Sequence, residues 1–153
     1  NHLAKLTLAM LLILFNFQNP VWSSEELPLS LPKTEGSKSF DMEIDQLNYK
    51  GIEFFIRGNF SEAETLFKKG LNLAQQFRDP SLGILNFNLA LSLHKSGHHE
   101  EATPFFTQAR KFARGNRVIL ESELSKKHEC GFNPSVDCNK DPSSADMTIE
   151  GSN

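Results

Sequence analysis

The chain has 153 residues, of which 39% are hydrophobic and 23% are charged, a composition typical of one globular domain and unlike that of a multi-span membrane protein or a fully disordered chain. Sixteen Lys and Arg stand against 19 Asp and Glu, for a net charge of −3, so the chain lacks the positive field needed to bind a nucleic-acid backbone. Thirteen Phe accompany one Tyr and one Trp, which indicates aromatic rings used for dry packing.

Residues 1–23 have the character of a secretory signal peptide. Lys5 precedes an apolar run from Leu6 to Phe17, which is shorter than the ~20 residues of a membrane-spanning helix. Val21 and Ser23 are small enough for the −3 and −1 positions of a cleavage site. We therefore expect export to the periplasm or the extracellular space, with cleavage after about Ser23. The alternative is a retained signal anchor or a core helix of the domain.

Two further stretches are predicted to lie outside the folded domain. Residues 24–39 are rich in Ser and Pro without a sustained period, which is typical of a linker. Residues 129–153 are polar and predict a disordered tail. This tail contains Cys130 and Cys138, the two cysteines of the chain, in the order C-G-F-N-P-S-V-D-C. Because export favours oxidation and this sequence favours a turn, a disulfide-closed loop is expected. A redox-active pair is the alternative, although C-x-x-C spacing would suit it better.

Residues 40–128 show helical periodicity throughout and no alternating runs of β-branched residues, so they predict an all-α domain. Two stretches share one frame, G-N-F-S-E-A-E-T-L-F from Gly58 and G-H-H-E-E-A-T-P-F-F from Gly97, 39 residues further on. Each copy has a small residue seven positions before its Gly, an Ala five positions after it and a Phe nine positions after it: Gly51, Ala63 and Phe67, and Ala90, Ala102 and Phe106. Small residues let two antiparallel helices approach closely, and the Gly ends the first helix.

This frame resembles the tetratricopeptide repeat, with the longer spacing of the kinesin-light-chain type. The resemblance implies antiparallel helix hairpins at about residues 44–78 and 83–113, arranged as a fragment of a right-handed superhelical α-solenoid. We expect Asp79 to cap the second hairpin's first helix and Pro80 to occupy its first position. A C-terminal capping helix is expected at about residues 116–127, with one apolar side formed by Val118, Ile119, Leu120 and Leu124.

Two repeats are fewer than a solenoid normally needs for a continuous core. The N-terminal face could be closed by the stretch that contains Leu27, Leu29 and Leu31, by a partner, or by a second copy of the chain. Homodimerisation therefore stays open.

The resemblance also implies a concave partner-binding surface, made mainly by the first helix of each hairpin. In family alignment its residues are Asn48, Ile52, Phe55, Ile84, Phe87, Asn88 and Leu91. Asn88 matches the position at which many peptide-binding members hold a ligand's backbone, a task suited to an amide with one acceptor and two donors. The alternatives are that Asn88 only caps or solvates its helix and that the apolar residues belong to the core.

Histidines raise the question of a metal site. His94 and His98 are four residues apart, with His99 next to His98 and His128 further along the chain. Because Gly97 ends the helix between the first two, the spacing lacks the shared helix face of H-E-x-x-H. Solvated turn histidines are therefore the preferred interpretation, and no metal or other cofactor is expected.

No catalytic motif occurs in the sequence, so we expect a non-enzymatic adaptor or assembly factor that binds a protein or a peptide segment. A structural accessory subunit of a larger extracytoplasmic or membrane-associated complex is the alternative, and a metal-handling accessory protein is a weaker one. Membrane contact is expected only through a retained signal anchor or a partner complex.

Overall fold

The structure, a computed structural model, describes residues 25–32 and 41–131. Helices and short connections make up these two ranges, and neither contains a strand. The all-α prediction is therefore confirmed for the described part of the chain. The proposed signal peptide lies outside these ranges, as do residues 33–40 and Cys138. Across the described residues, no helix has both the length and the apolar character required to cross a membrane.

Six helices follow one another along the described chain, and neighbours in sequence pack as pairs. The closest packing joins α1 to α2 and α3 to α4, while α2 and α3 connect the two pairs. The last helix, α6, packs against α4. The helices are α1 (Met42–Ile56), α2 (Phe60–Phe77), α3 (Leu82–Lys95), α4 (His99–Lys111), α5 (Arg117–Glu121) and α6 (Glu123–Glu129).

The tight turns inside both pairs depend on glycine. Gly58, between α1 and α2, has φ +80°, and Gly97, between α3 and α4, has φ +83°. Side chains with a Cβ rarely adopt this left-handed backbone conformation. The backbone N–H groups of these glycines donate to Phe55 O and His94 O respectively, so each turn completes the hydrogen bonding of the helix before it.

Close approach within the first pair depends on a different glycine. Gly51 in α1 is buried, and a Cβ added to it would lie 2.5 Å from Cε1 of Phe67 in α2. The Phe67 side chain is fully buried. The small residue of α1 and the Phe of α2 therefore contact each other directly, as the shared frame predicts.

The connection between the two pairs is longer than predicted. The helix α3 begins at Leu82, not at Pro80, and its N-cap is Ser81. The Asp79 carboxylate accepts hydrogen bonds from Ser81 N at 2.9 Å and Ser81 Oγ at 2.6 Å. Because this local turn satisfies the groups that a helix start would otherwise use, the helix starts later.

The prediction of one continuous capping helix is wrong. It divides at Ser122, which ends α5 and whose side chain accepts from Ser125 N at the start of α6. Ile119 is fully buried, but Val118 and Leu120 are 55% and 39% exposed. The change of direction at Ser122 breaks the single apolar side that an uninterrupted helix would have presented.

The first helices of the two pairs, α1 and α3, differ sharply in how much of their surface is buried. In α3, every residue from Gly83 to Leu93 is buried. In α1, by contrast, Met42, Tyr49 and Ile56 are 76%, 64% and 70% exposed. These three residues recur every seventh position, so they share one uncovered side of the helix.

Candidate functional site

Residues 25–32, called here the N-terminal segment, lie extended against α1 and α3. Leu31 is 6% exposed and belongs to the hydrophobic core, and Leu29 packs against that core. Leu27 is 58% exposed. The stretch predicted as part of a linker therefore contributes to the packed structure, and of its three leucines only Leu29 and Leu31 do so.

The backbone of Leu29 is held by two buried amide side chains. Asn88 Oδ1 accepts from Leu29 N at 2.7 Å, and Asn88 Nδ2 donates to Leu29 O at 2.8 Å. Asn48 Nδ2 also donates to Leu29 O, at 3.1 Å. A further hydrogen bond of 2.8 Å joins Asn88 Nδ2 to Asn48 Oδ1. The backbone donor and the backbone acceptor of Leu29 are thus both satisfied by side chains from α1 and α3.

Two acidic residues hold the other end of the N-terminal segment. Glu25 pairs with Lys95 at the end of α3. The Glu26 carboxylate accepts from Ser122 Oγ at 2.6 Å and from Leu124 N at 3.0 Å. Hydrogen bonds to an ionised carboxylate are stronger than neutral ones. Since Glu25 lies near the end of α3 and Leu29 near its middle, the segment runs antiparallel to that helix.

Most of the apolar residues predicted for the partner-binding surface are buried in the core. These are Phe55, Ile84, Phe87 and Leu91, whereas Ile52 is half-buried. The Phe55 and Phe87 rings pack edge-on against Phe60 and Phe106. In this structure they support the surface on which the segment lies. A cavity of about 370 Å³ adjoins the segment, and its lining includes Leu31, Asn48, Tyr49 and Ile52.

Three histidines from different elements meet beside the N-terminal segment. His94 lies near the end of α3, His99 begins α4 and His128 lies in α6. His94 Nδ1 is 2.9 Å from His128 Nε2 and 3.1 Å from His99 Nδ1. One ring nitrogen from each of the three lies within 4.8 Å of the others, an arrangement that could hold a metal ion. We call these residues the histidine cluster.

The prediction of solvated turn histidines is wrong for His128, whereas His99 is exposed at the start of α4. His128 is 1% exposed, because α6 folds back onto α4 and places the ring against Phe106, with centroids 4.7 Å apart. His98 does not join the cluster. It is the N-cap residue of α4, and its Nδ1 lies 3.9 Å from Glu64 Oε1.

Burial and mutual repulsion lower the pKa of two histidines of the cluster, His94 and His128. Burial, followed by the nearby rings of His94 and His99, lowers the pKa of His128 to about 4. The pKa of His94 is lowered chiefly by burial and then by His99, against an opposing effect of the Glu26 carboxylate. A neutral imidazole keeps a lone pair on one ring nitrogen, which is the form that binds metals.

The described residues leave the disulfide as a prediction. Cys130 is the C-cap of α6, and its backbone N–H donates to Lys126 O at 3.1 Å. Cys138 lies outside the described residues.

Comparison of the chain with protein-family models, with curated proteins and with solved structures found no match. The case for a function therefore depends on the geometry of the N-terminal segment and the histidine cluster. Sequence reasoning gave no role to Glu26 or Ser122, because single polar residues in a linker and at a helix break carry no periodic signal.

Proposed function

We propose that this chain is an exported tetratricopeptide-like interaction module that recognises an extended peptide segment of a protein partner, and that the N-terminal segment occupies the recognition surface within the same chain. The observation that carries the proposal is the pair of hydrogen bonds between Asn88 and the backbone N–H and C=O of Leu29. Contacts of this kind read the backbone rather than a particular side chain, so another extended segment could make them.

The side-chain contacts of the N-terminal segment indicate the kind of partner that could replace it. Leu31 enters the core, while Glu25 and Glu26 make ionic and hydrogen-bonded contacts at the other end. A competing segment would therefore carry acidic residues followed, a few positions later, by apolar ones. Glu25 would be matched by the cation Lys95, and Leu31 by the apolar space between α1 and α3.

Competition with a tethered segment sets the affinity that an external partner needs. A tethered segment acts at an effective concentration on the order of millimolar. A partner peptide must therefore bind more tightly than the N-terminal segment does, or act after that segment has been removed or displaced. This arrangement would suit an adaptor whose surface is protected until a partner arrives.

The test uses the full chain with the segment undocked by Leu29→Asp and Leu31→Asp. A fluorescent peptide with the sequence of residues 25–32 is titrated against this variant and against the unmodified chain by polarisation. We expect saturable binding to the undocked variant and at least ~10-fold weaker binding to the unmodified chain, because there the tethered segment competes. Circular dichroism checks that the variant keeps its helices.

The role of Asn88 is tested in the same undocked background. Asn88→Ala removes two hydrogen bonds to the peptide backbone, each contributing about 1 kcal/mol, so affinity should fall about 30-fold. Asn72→Ala is the matched control, since Asn72 is exposed on α2, and it should leave affinity unchanged. A helical undocked variant that fails to bind the peptide would overturn the proposal and leave the segment as a fixed part of the core.

A structural accessory subunit is the second candidate. It is favoured by the uncovered apolar side of α1, where Met42, Tyr49 and Ile56 are exposed. A permanent neighbour or a second copy of the chain could cover this side. Sedimentation velocity of the purified full chain distinguishes the candidates, since a soluble monomer at ~100 μM supports the adaptor, whereas assembly that stops on Met42→Ser and Ile56→Ser supports the subunit.

A further inference from the structure

We propose that His94, His99 and His128 form a binding site for a divalent late transition-metal ion, and that Zn²⁺ is the ion it fits best. The site does not depend on peptide recognition by the face formed by Asn48 and Asn88. It is carried by the positions of three imidazole nitrogens, by the hydrogen bonding around them and by a comparison between the two helix pairs.

Two of the three spacings between the ring nitrogens are close to those of a tetrahedral zinc site, and all three nitrogens lie within 4.8 Å of one another. Zinc binds imidazole nitrogen at about 2.0–2.1 Å, so two nitrogens on one tetrahedral ion lie roughly 3.3–3.4 Å apart. His94 Nδ1 lies 2.9 Å from His128 Nε2 and 3.1 Å from His99 Nδ1. Movements of a few tenths of an ångström would bring both pairs to the separation that the ion requires.

A neighbouring hydroxyl sets which nitrogen of His128 faces the cluster as an acceptor. Thr103 Oγ1 donates to the backbone carbonyl of His99 at 3.1 Å, as threonine hydroxyls in helices commonly do. It lies 3.0 Å from His128 Nδ1. Because its own hydrogen is used in the bond to His99 O, we assign the Nδ1–H of His128 as the donor to this hydroxyl. The remaining nitrogen, Nε2, then points its lone pair toward His94. An outer hydrogen bond of this kind orients most metal-binding histidines.

The contacts of His94 place one ring nitrogen against two others. His94 Nδ1 carries at most one proton, yet it faces both His128 Nε2 and His99 Nδ1. In either tautomer, His94 Nδ1 has only one proton or one lone pair for the two contacts. A cation placed among the three nitrogens would use all their lone pairs at once.

The surroundings fit a positive ion with one open coordination position. His128 is buried and His94 is half-buried, whereas His99 is exposed, so solvent reaches the site from the His99 side. Water or a ligand atom could occupy the fourth position there, as in zinc sites with three protein ligands. The Glu26 carboxylate already acts on His94 electrostatically, and its charge would partly offset that of the ion.

The first helix pair shows what this position contains when no metal is involved. Residues 55 and 60 lie 39 positions before His94 and His99, and both are Phe. The Phe55 and Phe60 rings pack edge-on with centroids 5.1 Å apart, and the His94 and His99 rings pack in the same way at 4.7 Å. A pair of phenylalanines thus suffices for packing, and the second pair replaces both with metal-binding side chains beside a third histidine.

Metal uptake is measured on the untagged full chain after treatment with a chelator and exhaustive dialysis. Zn²⁺ is titrated calorimetrically, and Co²⁺ is titrated by visible absorption, because tetrahedral cobalt has intense ligand-field bands. We expect one ion per chain with a dissociation constant of about 1 μM or below. No saturable uptake of Zn²⁺ or Co²⁺ would overturn the proposal.

The decisive variant is His94→Phe combined with His99→Phe, which copies the ring pair of the first hairpin. It should keep the helical fold and lose at least ~100-fold in zinc affinity, since one imidazole remains. His98→Phe is the matched control and should bind as the unmodified chain does. Unchanged uptake by the double variant, or equal loss in the His98 control, would contradict the site.

A second variant keeps all three ligands and changes only the hydroxyl that orients one of them. Thr103→Val should weaken zinc binding ~10-fold or more, in line with the loss of an outer-shell partner. The cobalt bands should shift as well, because the His128 ring loses one of the hydrogen bonds that orient it. Unchanged affinity and spectra in a folded Thr103→Val protein would remove the orienting role of Thr103 and, with it, the hydrogen-bond argument for the site.

Discussion

The two helix pairs repeat one frame in sequence, but they differ in what surrounds them. Helix α3 contacts α1, α2, α4 and α5, the N-terminal segment and, through His94 and His128, α6, whereas one side of α1 stays uncovered. At its turn, the first helix pair carries the aromatic residues Phe55 and Phe60, and the second helix pair carries His94 and His99 at the corresponding positions. The shared frame determines how the two helices of each pair contact each other. The candidate metal-binding residues occur where a third element, α6, packs beside the turn of the second pair.

The largest expected effect concerns the Phe that each pair buries. Phe67 and Phe106 are both fully buried, and replacing a buried Phe with Ala costs about 3–5 kcal/mol. Phe106→Ala should fall at the upper end of this range and Phe67→Ala at the lower end. The surroundings of Phe106 are packed on every side, whereas α1 has an open side and can shift to fill the space.

Urea unfolding of the two variants, followed by circular dichroism, measures the difference. The slope of each transition should match that of the unmodified chain, so that the midpoints report stability. If Phe67→Ala proves as costly as Phe106→Ala, the second pair is not the better supported of the two.

The next effect concerns a position at which the pairs carry very different residues. Gly83 in α3 corresponds to Ile44 in α1, 39 positions earlier. A Cβ at Gly83 would collide with the backbone oxygen of Phe112, which cannot rotate away. Gly83→Ala should therefore destabilise the protein by about 1–3 kcal/mol or more, although alanine is the better helix former.

Gly70→Ala is the matched control for that substitution. Its added Cβ would lie 3.3 Å from Cδ2 of Leu85, a flexible side chain that can move aside, and Ala would gain up to ~1 kcal/mol of helix propensity. Thermal unfolding should thus show a large decrease in melting temperature for Gly83→Ala and little change for Gly70→Ala. Similar decreases in both would indicate that backbone crowding at Phe112 is not the cause.

The smallest expected effect is a pH dependence of the free energy of unfolding, which arises from the histidine cluster beside the second pair. The pKa of His128 is lowered from 6.5 to about 4 in the folded chain, so between these values the unfolded chain binds a proton that the folded chain does not. Stability should therefore be greatest above pH 6.5 and should fall as the pH decreases toward 4. His94 contributes in the same direction, with the Glu26 carboxylate opposing it.

Chelator-treated protein unfolded in urea at about pH 7.5 and about pH 5.5 measures this dependence. His128→Phe should reduce it, because the replaced ring cannot take up a proton. His98→Gln, on the exposed N-cap of α4, should leave it unchanged. The expectation fails if His128→Phe keeps the full pH dependence.

The helices and their turns could be predicted because their determinants are local. Gly58 and Gly97 end helices by their own conformational freedom, and Gly51 and Phe67 recur at fixed spacing. The N-terminal segment could not be predicted in this way, since its hydrogen bonds go to side chains 19 and 59 residues away. A segment that pairs with side chains has no periodic pattern of its own.

The residues of the candidate site also differ in whether they could be predicted from local sequence. Asn48 and Asn88 could be selected from the sequence, because the resemblance of the repeat frame to the tetratricopeptide pattern implies their positions. The histidine cluster could not be assembled from sequence, since His128 comes from an element that lies beyond the repeats and bends at Ser122. Helical spacing favours a pairing of His94 with His98, whereas the turn at Gly97 places His99 beside His94.

Ser122 has a consequence for how the two surfaces influence each other. Its hydroxyl accepts from Ser125 N at the start of α6 and donates to Glu26 of the N-terminal segment, so the helix that carries His128 and the docked segment share one atom. Linkage is reciprocal: if a bound metal steadies α6 and thereby favours the docked segment, the docked segment must raise metal affinity by the same factor. A partner that displaces the segment would then promote metal release, and metal excess would oppose that partner.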